Sequence, residues 1–584
     1  MVRVVEFRKA VLAGVLGAIA MEVTLYGLGR IGLPSVDMVA DLSSAAFPHQ
    51  EPYALVTAGA AHLSIGVCWT IFYGYFFWAR LKWPPPLQGL VFSVIPALLA
   101  IFIVYPQLEL MRRGPAVVTI DVKALLAPLR TLTIFGLLIG HAVFGLVIGA
   151  IYRRPVGYAA DHKPLRPAPS KIDRSQRGCR PEGSSAFMFA TGIECSYPTI
   201  ERGRWRRDEM DSTGHYANWQ RDFELAREIG ITHIRYGPPL HLIFEAPGKY
   251  DWDYADPQME ELRELGPEPI IDLCHFGVPS WLGNFQNPGI ADALSEYAEA
   301  FVQRYPWVRF YTPVNEMYVC ARMSAIEGLW NEQLRNEAAF VNAAFNLARA
   351  SIRMSDAILA HRPNAVFVNS ESSEFYQACC PDEGVQQKAE FENERRFLPL
   401  DLIYAHEVSD SMRTYLHAHG VTDDQLGKFT ARQVPRRSIL GVDYYEWNER
   451  LIDSHGHALA LGELFGWYVI ADQYWKRYGR PMMHTETNKM DADDAPKWLW
   501  RQWYNVQLLA NAGVPLVGFT WYSLTDQIDW SVAMAESLGI VFPVGLFDLN
   551  REPRTVGLAY KNLIDLYRER PDYRECRALK DIMA

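Results

Sequence analysis

The chain has 584 residues, 49% of them apolar and 13% aromatic, with a formal net charge of −10. That length exceeds one ordinary domain, and the mild acidity, with no basic stripe over the C-terminal two-thirds, argues against a nucleic-acid binder. Eight cysteines at positions 68, 179, 195, 274, 320, 379, 380 and 576 form no C-x-x-C pair, so neither a zinc site nor a disulfide framework is expected and reduced cytosolic thiols are the simplest account. No cofactor is expected either, because the chain has no phosphate-cradling Gly loop, and it shows no internal repeat or heptad run.

The first third is a separate material. Ala10–Leu28, Leu55–Trp78, Leu90–Tyr105 and Leu132–Tyr152 are rich in Leu, Ile, Phe, Ala and Gly, and each is long enough or nearly so to cross a hydrocarbon core that takes about 20 helical residues. A secretory signal is a single N-terminal stretch and leaves the three later runs unexplained. The expectation is an all-α transmembrane bundle of four helices over residues 1–152, the third span being the shortest. Glu22, His62 and His141 lie inside these spans, where ionisable groups are costly and point to function. Paired imidazoles suit haem or metal and a Glu–His pair suits proton relay, but without ligand spacing an interhelical hydrogen-bonded cluster is the simpler reading.

Lys and Arg in the short loops set the orientation. Arg3, Arg8 and Lys9 precede the first span, Arg80 and Lys82 follow the second, and Arg153 and Arg154 open a basic stretch after the fourth. Asp37, Asp41 and Glu51 lie in the first external loop, although Arg112, Arg113 and Lys123 lie in the other. Positive-inside then makes this a multi-pass membrane protein with both termini, and everything C-terminal to the spans, in the cytoplasm; loss of the third span would invert that. Residues 153–184 read as a basic, Pro- and Ser-rich linker, either a solvated hinge or a segment drawn to anionic headgroups.

From 185 to 584 the pattern becomes α/β. Short apolar runs recur at Phe187–Gly192, His233–Tyr236, Pro269–Cys274, Val308–Val314, Ala365–Val368, Ile439–Tyr444, Pro481–His484 and Val517–Trp521, each bounded by loop signals. Helix-like segments separate them at Asn218–Ile229, Asp292–Tyr305, Glu337–His361, Gly456–Tyr478 and Ala495–Ala512, with Arg554–Tyr567 after the last. Eight alternating units predict a (β/α)8 TIM barrel. The charged stretch 381–437 reads as a loop or helical excursion before the sixth strand, placed to roof part of the barrel mouth.

Two glutamates end such runs: Glu316 in VRFYTPVNEM and Glu486 in RPMMHTETN. A retaining glycosidase needs one carboxylic acid to protonate the departing oxygen and one carboxylate to attack the anomeric carbon, about 5–5.5 Å apart. Residues 170 positions apart meet only through the fold, and a barrel gathers its strand ends on one face. Apolar residues before each Glu favour a carboxyl of raised pKa, and Asn315 is placed to hold a sugar hydroxyl.

From about Phe187 to Tyr567 the chain resembles glycoside hydrolase family 1, the β-glucosidase-like retaining enzymes. TPVNE (312–316) is similar to the T-F/L-N-E acid/base segment, and HTETN (484–488) more loosely to the I/V-T-E-N-G nucleophile segment. DLCHFGVPSWL resembles L-x-H-W-D-x-P, placing His275 beside the sugar; HIRYG resembles Y-R-F-S, giving Arg235 a contact with the nucleophile. LGVDYY resembles G-I-N-Y-Y, making Tyr445 a hydroxyl donor to Glu486, and GFTWYSLTDQIDW resembles W-S-L-L-D-N-F-E-W, with Asp529 and Trp530 at glycone-binding positions. Pro198 stands where the family has Gln, Tyr522 where it has Trp and Asp529 where it has Glu. These departures fall on groups that read the non-reducing sugar, which implies retained chemistry with altered sugar preference.

The reading is a membrane-anchored retaining β-glycosidase or transglycosidase acting on a glycolipid or other membrane-proximal glycoside, with carbohydrate and the lipid bilayer as partners and no metal. Two alternatives stay open: a catalytically silent glycan-binding sensor barrel, and a lipid or glycan transport module with an accessory barrel. Nothing in the sequence sets the oligomeric state.

Overall fold

The computed structural model describes residues 7–33, 36–46, 53–77, 83–104, 107–108, 131–152 and 185–584 apart from 202 and 266. The chain divides into two compact units, one from Met1–Val156 with Glu536–Val541 and one from Gly157–Ala535 with Phe542–Ala584. The expected linker 153–184 and the loop holding Arg112, Arg113 and Lys123 lie outside the described residues.

In the N-terminal unit four helical stretches are long and apolar enough to cross a membrane: Lys9–Arg30, Ala54–Phe72, Pro85–Val104 and Ile134–Ile151. The third is longer than its sequence reading, because Pro85 and Pro86 start the helix five residues before Leu90, where a missing backbone N–H costs nothing. The first two helices cross at paired glycines. A Cβ on Gly14 would lie 2.6 Å from the Val67 Cα, and one on Gly66 would lie 2.9 Å from the Gly14 carbonyl oxygen, so hydrogen side chains let these backbones touch. Glu22 and His62 pair at 3.0 Å between the same helices. His141 instead donates to the Leu137 carbonyl of its own helix at 2.9 Å, so the expected cluster contains an interhelical pair and one histidine satisfied locally.

The C-terminal unit is a closed barrel of eight strands: β1 Met188–Ile193, β2 His233–Tyr236, β3 Glu268–Asp272, β4 Phe310–Thr312, β5 Val366–Ser372, β6 Ser438–Asp443, β7 Met482–His484 and β8 Leu516–Trp521. Each pairs in parallel with the next, and β8 closes on β1 with Thr191 opposite Trp521. Nearly every strand residue is buried, as parallel strands covered on both faces require. β4 is shorter than the apolar run that announces it, because Pro313 has no N–H for the ladder. β5 runs on through the polar residues Asn369–Ser372, which pair with Leu440–Asp443 of β6.

The helix expected over Gly456–Tyr478 begins only at Gly466. Before it lies an antiparallel hairpin of Glu449–Ile452 with Ala458–Ala460. The Asp453 carboxylate accepts the backbone N–H groups of His455 and His457 at 2.9 and 2.8 Å, and Gly456 sits at φ +81°. This side-chain turn outcompetes the helix.

The excursion after β5 forms four helices: Glu383–Arg395, Leu398–Ile403, Asp410–Ala418 and Asp423–Thr430. Leu398–Ile403 packs on Glu337–His361, and the Asp401 carboxylate pairs with Arg477 of the helix Gly466–Tyr478 at 2.7 Å. It therefore fills the fifth helical position of the barrel's outer ring, and the excursion's role is more wall than roof.

Candidate active site

The C-terminal ends of β2, β4, β6 and β7 converge on Glu486. Its Oε1 accepts from Arg235 Nη1 at 2.8 Å and from Asn315 Nδ2 at 3.5 Å, while its Oε2 accepts from the Tyr445 hydroxyl at 2.6 Å. Arg235 is a buried hub. Nη1 also reaches the Thr485 carbonyl at 2.8 Å, Nη2 the Asn315 Oδ1 at 2.6 Å, and Nε the Glu194 Oε1 at 2.8 Å. Burial by itself would weaken that cation's hold on its proton, but the carboxylates of Glu194, Glu486 and Asp443 reverse the effect and raise it. Arg235 is thus a permanent positive charge against one oxygen of Glu486.

Glu316 is arranged differently. It follows β4 at φ +40°, with its backbone N–H on the Ser370 carbonyl at 3.0 Å, and it opens the helix Met317–Ala325. A non-glycine residue in this left-handed region carries strain that the surroundings must over-determine. Among the described residues none donates to its carboxylate, which is 6% exposed. Burial first, then the charges of Glu486, Asp443, Glu371 and Glu374, hold this carboxyl well above the usual carboxylate range. One glutamate is therefore surrounded by donors, and the other is buried among negative charges, two environments that push carboxyl pKa values apart.

His275 follows β3, with Nδ1 2.5 Å from Asp272 Oδ2 and 3.5 Å from Glu194 Oε2. Trp530 packs near Phe276 at 5.9 Å and Trp330 at 6.3 Å between ring centroids. The Tyr445 and Trp447 rings stack at 4.8 Å and 7°. Tyr522 lies flat against β1, since a Cβ on Gly192 would fall 2.5 Å from its ring; its hydroxyl donates to Gln527 at 3.4 Å, and its peptide bond to Ser523 is cis. Asp529 is brought into the same region but is fully buried and accepts from Arg207 at 3.0 Å. An internal guanidinium thus already occupies the carboxylate that the resemblance assigned to sugar.

Sequence reasoning missed a second ring of acids. Glu194 follows β1 and lies between Arg235 Nε at 2.8 Å and His275 Nδ1 at 3.5 Å; burial, opposed by Arg235, raises its pKa. Asp443 ends β6 and accepts from the Ser370 hydroxyl at 3.0 and 2.8 Å; burial and then Glu486 raise it well above its ordinary value. Asp443 occupies the place of Asn in G-I-N-Y-Y, a signal present in the quoted LGVDYY segment. Glu194, Asp272 and His275 also group closely enough to hold a metal ion, but the Arg235 guanidinium at Glu194 already supplies the positive charge.

Glu209 is buried beside Arg207 and Asp529, where its Oε1 accepts from the Ile528 backbone N–H at 2.5 Å. Burial, opposed by Arg207, pushes its pKa up to about 8. Its unfolded value is about 4.3, so its contribution to stability is complete below that pH and is lost progressively until pH passes about 8. Glu209→Gln keeps an acceptor without the titration. Its Tm relative to the parent should therefore rise between pH 5 and pH 8; a constant difference across that range would refute the assignment.

A closed parallel barrel with two glutamates at strand ends, one hydrogen-bonded to Arg and Tyr and one whose carboxyl pKa is raised by burial, defines an O-glycoside hydrolase of the retaining class. The glycosyl hydrolase family 1 model matches residues 199–448. Beta-glucosidase A of Thermotoga maritima is 22% identical over 401 residues, covering 60% of this chain and 86% of that protein. Human Klotho is 30% identical over 116 residues, 18% of this chain and 12% of Klotho. The solved β-glucosidase of Thermotoga maritima in complex with noeuromycin superposes with a TM-score of 0.55 at 18% identity, covering 66% of this chain and 98% of that one; at that identity the likeness speaks for the fold alone.

Proposed function

We propose that the barrel cleaves a β-glycoside by double displacement, with Glu486 attacking the anomeric carbon and Glu316 protonating the leaving oxygen and then deprotonating the acceptor. The observation that carries these roles is the asymmetry of the two carboxyls: three donors on Glu486, none from described residues on Glu316. Arg235 and Tyr445 orient Glu486 through their hydrogen bonds to its two oxygens. His275, Asn315 and Trp530 face the sugar, with Tyr522 and Asp529 behind that wall. The donors on Glu486 would be needless in a catalytically silent glycan sensor, which favours the enzyme reading.

The glycone should differ from plain glucose. Pro198 offers no amide, Asp529 is engaged by Arg207, and Asp443 puts an acceptor where the resembling motif has an amide. Each sugar hydroxyl left unpaired costs about 1–3 kcal/mol. Across gluco, galacto, manno, fuco and xylo aryl glycosides, kcat/KM should be highest for a sugar lacking, inverting or substituting a hydroxyl at the 3-, 4- or 6-position. Unmodified glucose leading by more than about tenfold, roughly 1.4 kcal/mol, would sink this reading.

The four apolar helices support anchoring in a bilayer, and an anchored glycosidase suits a substrate that is itself at the membrane, a glycolipid or lipid-linked saccharide, with water or a second sugar as acceptor. The residue domains follow as membrane helices over 1–152, a linker over 153–184 and the glycosidase barrel over 185–584. The Lys and Arg bias of the loops supports a cytoplasmic barrel. A reporter fused after Ala584 should be active on the cytoplasmic side; activity outside only would overturn the topology.

A further inference from the structure

On the outer wall of the barrel, the helix Glu337–His361 and the excursion helix Asp423–Thr430 meet at an aromatic contact. The Phe429 ring meets Phe345 edge-on, 5.4 Å between centroids and 90° between planes. Beside that contact opens a cleft of about 450 Å³. A water's share of liquid volume is about 30 Å³, so the space holds roughly fifteen waters, and it falls in the range of small-molecule sites, about 300–1,000 Å³.

The charges facing this cleft do not match. Arg349 and Arg353 line one side and Lys428 and Arg432 the other, with Asp356 the one lining carboxylate. Arg353 reaches Asp292 at 2.8 Å and Lys428 reaches Asp424 at 2.7 Å, but both pairs are exposed, and such pairs contribute little. Arg432 donates to the Ile403 carbonyl, a neutral partner, and feels Asp356 only as a nearby charge. Arg349 has no hydrogen bond or ion pair with any described residue although it is half-buried, and burial lowers its pKa. Like charges set across a shared, partly desolvated space repel one another. Removing any of them would relieve that repulsion unless an anion sits between them. Two guanidinium forks on opposite walls suit a tetrahedral oxyanion, which accepts bidentate bonds from each. The Phe429 ring between them gives an organic substituent an apolar seat.

We propose that this cleft binds an organic phosphate ester, with Arg349 and Arg432 on its phosphate oxygens, Lys428 and Arg353 at its rim and Phe429 against its carbon skeleton. Two sources share that chemistry: the headgroup of an anionic phospholipid, a candidate because of the four apolar spans, and a soluble phosphate ester. The site is separate from the barrel mouth and independent of the glycosidase assignment.

The test uses the full chain in phosphatidylcholine nanodiscs, titrated calorimetrically with glycerol 3-phosphate at low and moderate salt. Binding should weaken as salt rises. It should be at least tenfold weaker in Arg349→Gln/Lys428→Gln, which keeps the Arg432 contact with Ile403. It should be unchanged in Arg577→Gln/Lys580→Gln, which removes the same charge far along the chain, and aryl-glycoside turnover should report an intact fold in both variants. Hydrogen exchange over 345–361 and 423–432 separates the sources. Protection on adding phosphatidylglycerol to the discs, lost in the first variant, identifies the lipid; protection by glycerol 3-phosphate alone identifies the soluble ester. Equal binding by all three proteins, or none by the parent with either phosphate, would overturn the proposal.

Discussion

Glu486→Gly should lower kcat/KM for aryl glycosides by about 10⁴-fold or more, roughly 5 kcal/mol of lost transition-state stabilisation. The loss follows from the geometry. Arg235 at 2.8 Å and Tyr445 at 2.6 Å orient one carboxylate, and with it gone no described group is aimed at the anomeric carbon in its place. Glycine leaves space on that face, so added azide should attack there and expel the aryl oxide, giving a glycosyl azide of opposite anomeric configuration. Rescue of turnover with that product would identify Glu486 as the nucleophile. A variant retaining more than about a tenth of parental activity without azide would remove it from that role.

Glu316→Ala should separate substrates by leaving group. An alkyl alkoxide cannot depart without a proton, and general-acid catalysis contributes typically about 10²- to 10⁴-fold, so alkyl glycosides should lose activity on that scale. A dinitrophenolate needs no proton, and its release should fall by less than about tenfold. The same variant tests the pH profile. Because burial and the Glu486 charge raise the Glu316 pKa, the parent should be active while this carboxyl is protonated and lose activity as pH rises through its value. In Glu316→Ala that alkaline limb should vanish for activated substrates. Equal losses for alkyl and dinitrophenyl glycosides, or an unchanged alkaline limb, would exclude Glu316 as the acid.

Much of this architecture is legible in the chain because each strand is a short apolar run between turn signals. His233–Tyr236 was delimited from sequence to the residue, and Glu337–His361 likewise among the helices. The pattern failed where polar residues serve a strand, as in Asn369–Ser372 of β5, and where a side-chain turn defeats a helix, as at Asp453. At the site, Glu316 and Glu486 were readable since each ends an apolar run, and Arg235, His275 and Tyr445 through the order of their motifs. Glu194 was not, and Asp443 only as the Asn position of LGVDYY, because their importance lies in partners that barrel closure supplies: Arg235 for one, Ser370 and the field of Glu486 for the other. Asp529 shows the same limit in reverse. Its motif implied an open sugar ligand, and a guanidinium 322 residues earlier takes its carboxylate. Local sequence names the atoms available, and long-range closure decides which of them remain free for a ligand.

The central claim is a double displacement between Glu486 and Glu316, and the stereochemistry of the first-formed product tests it most directly. Hydrolysis of a preferred aryl β-glycoside by the purified chain, followed by proton NMR before mutarotation, should show the β-anomer of the sugar appearing first. Initial release of the α-anomer would mean that water attacks directly, with the two carboxyls spaced about 6.5–9.5 Å apart for an inverting reaction, and would contradict the account.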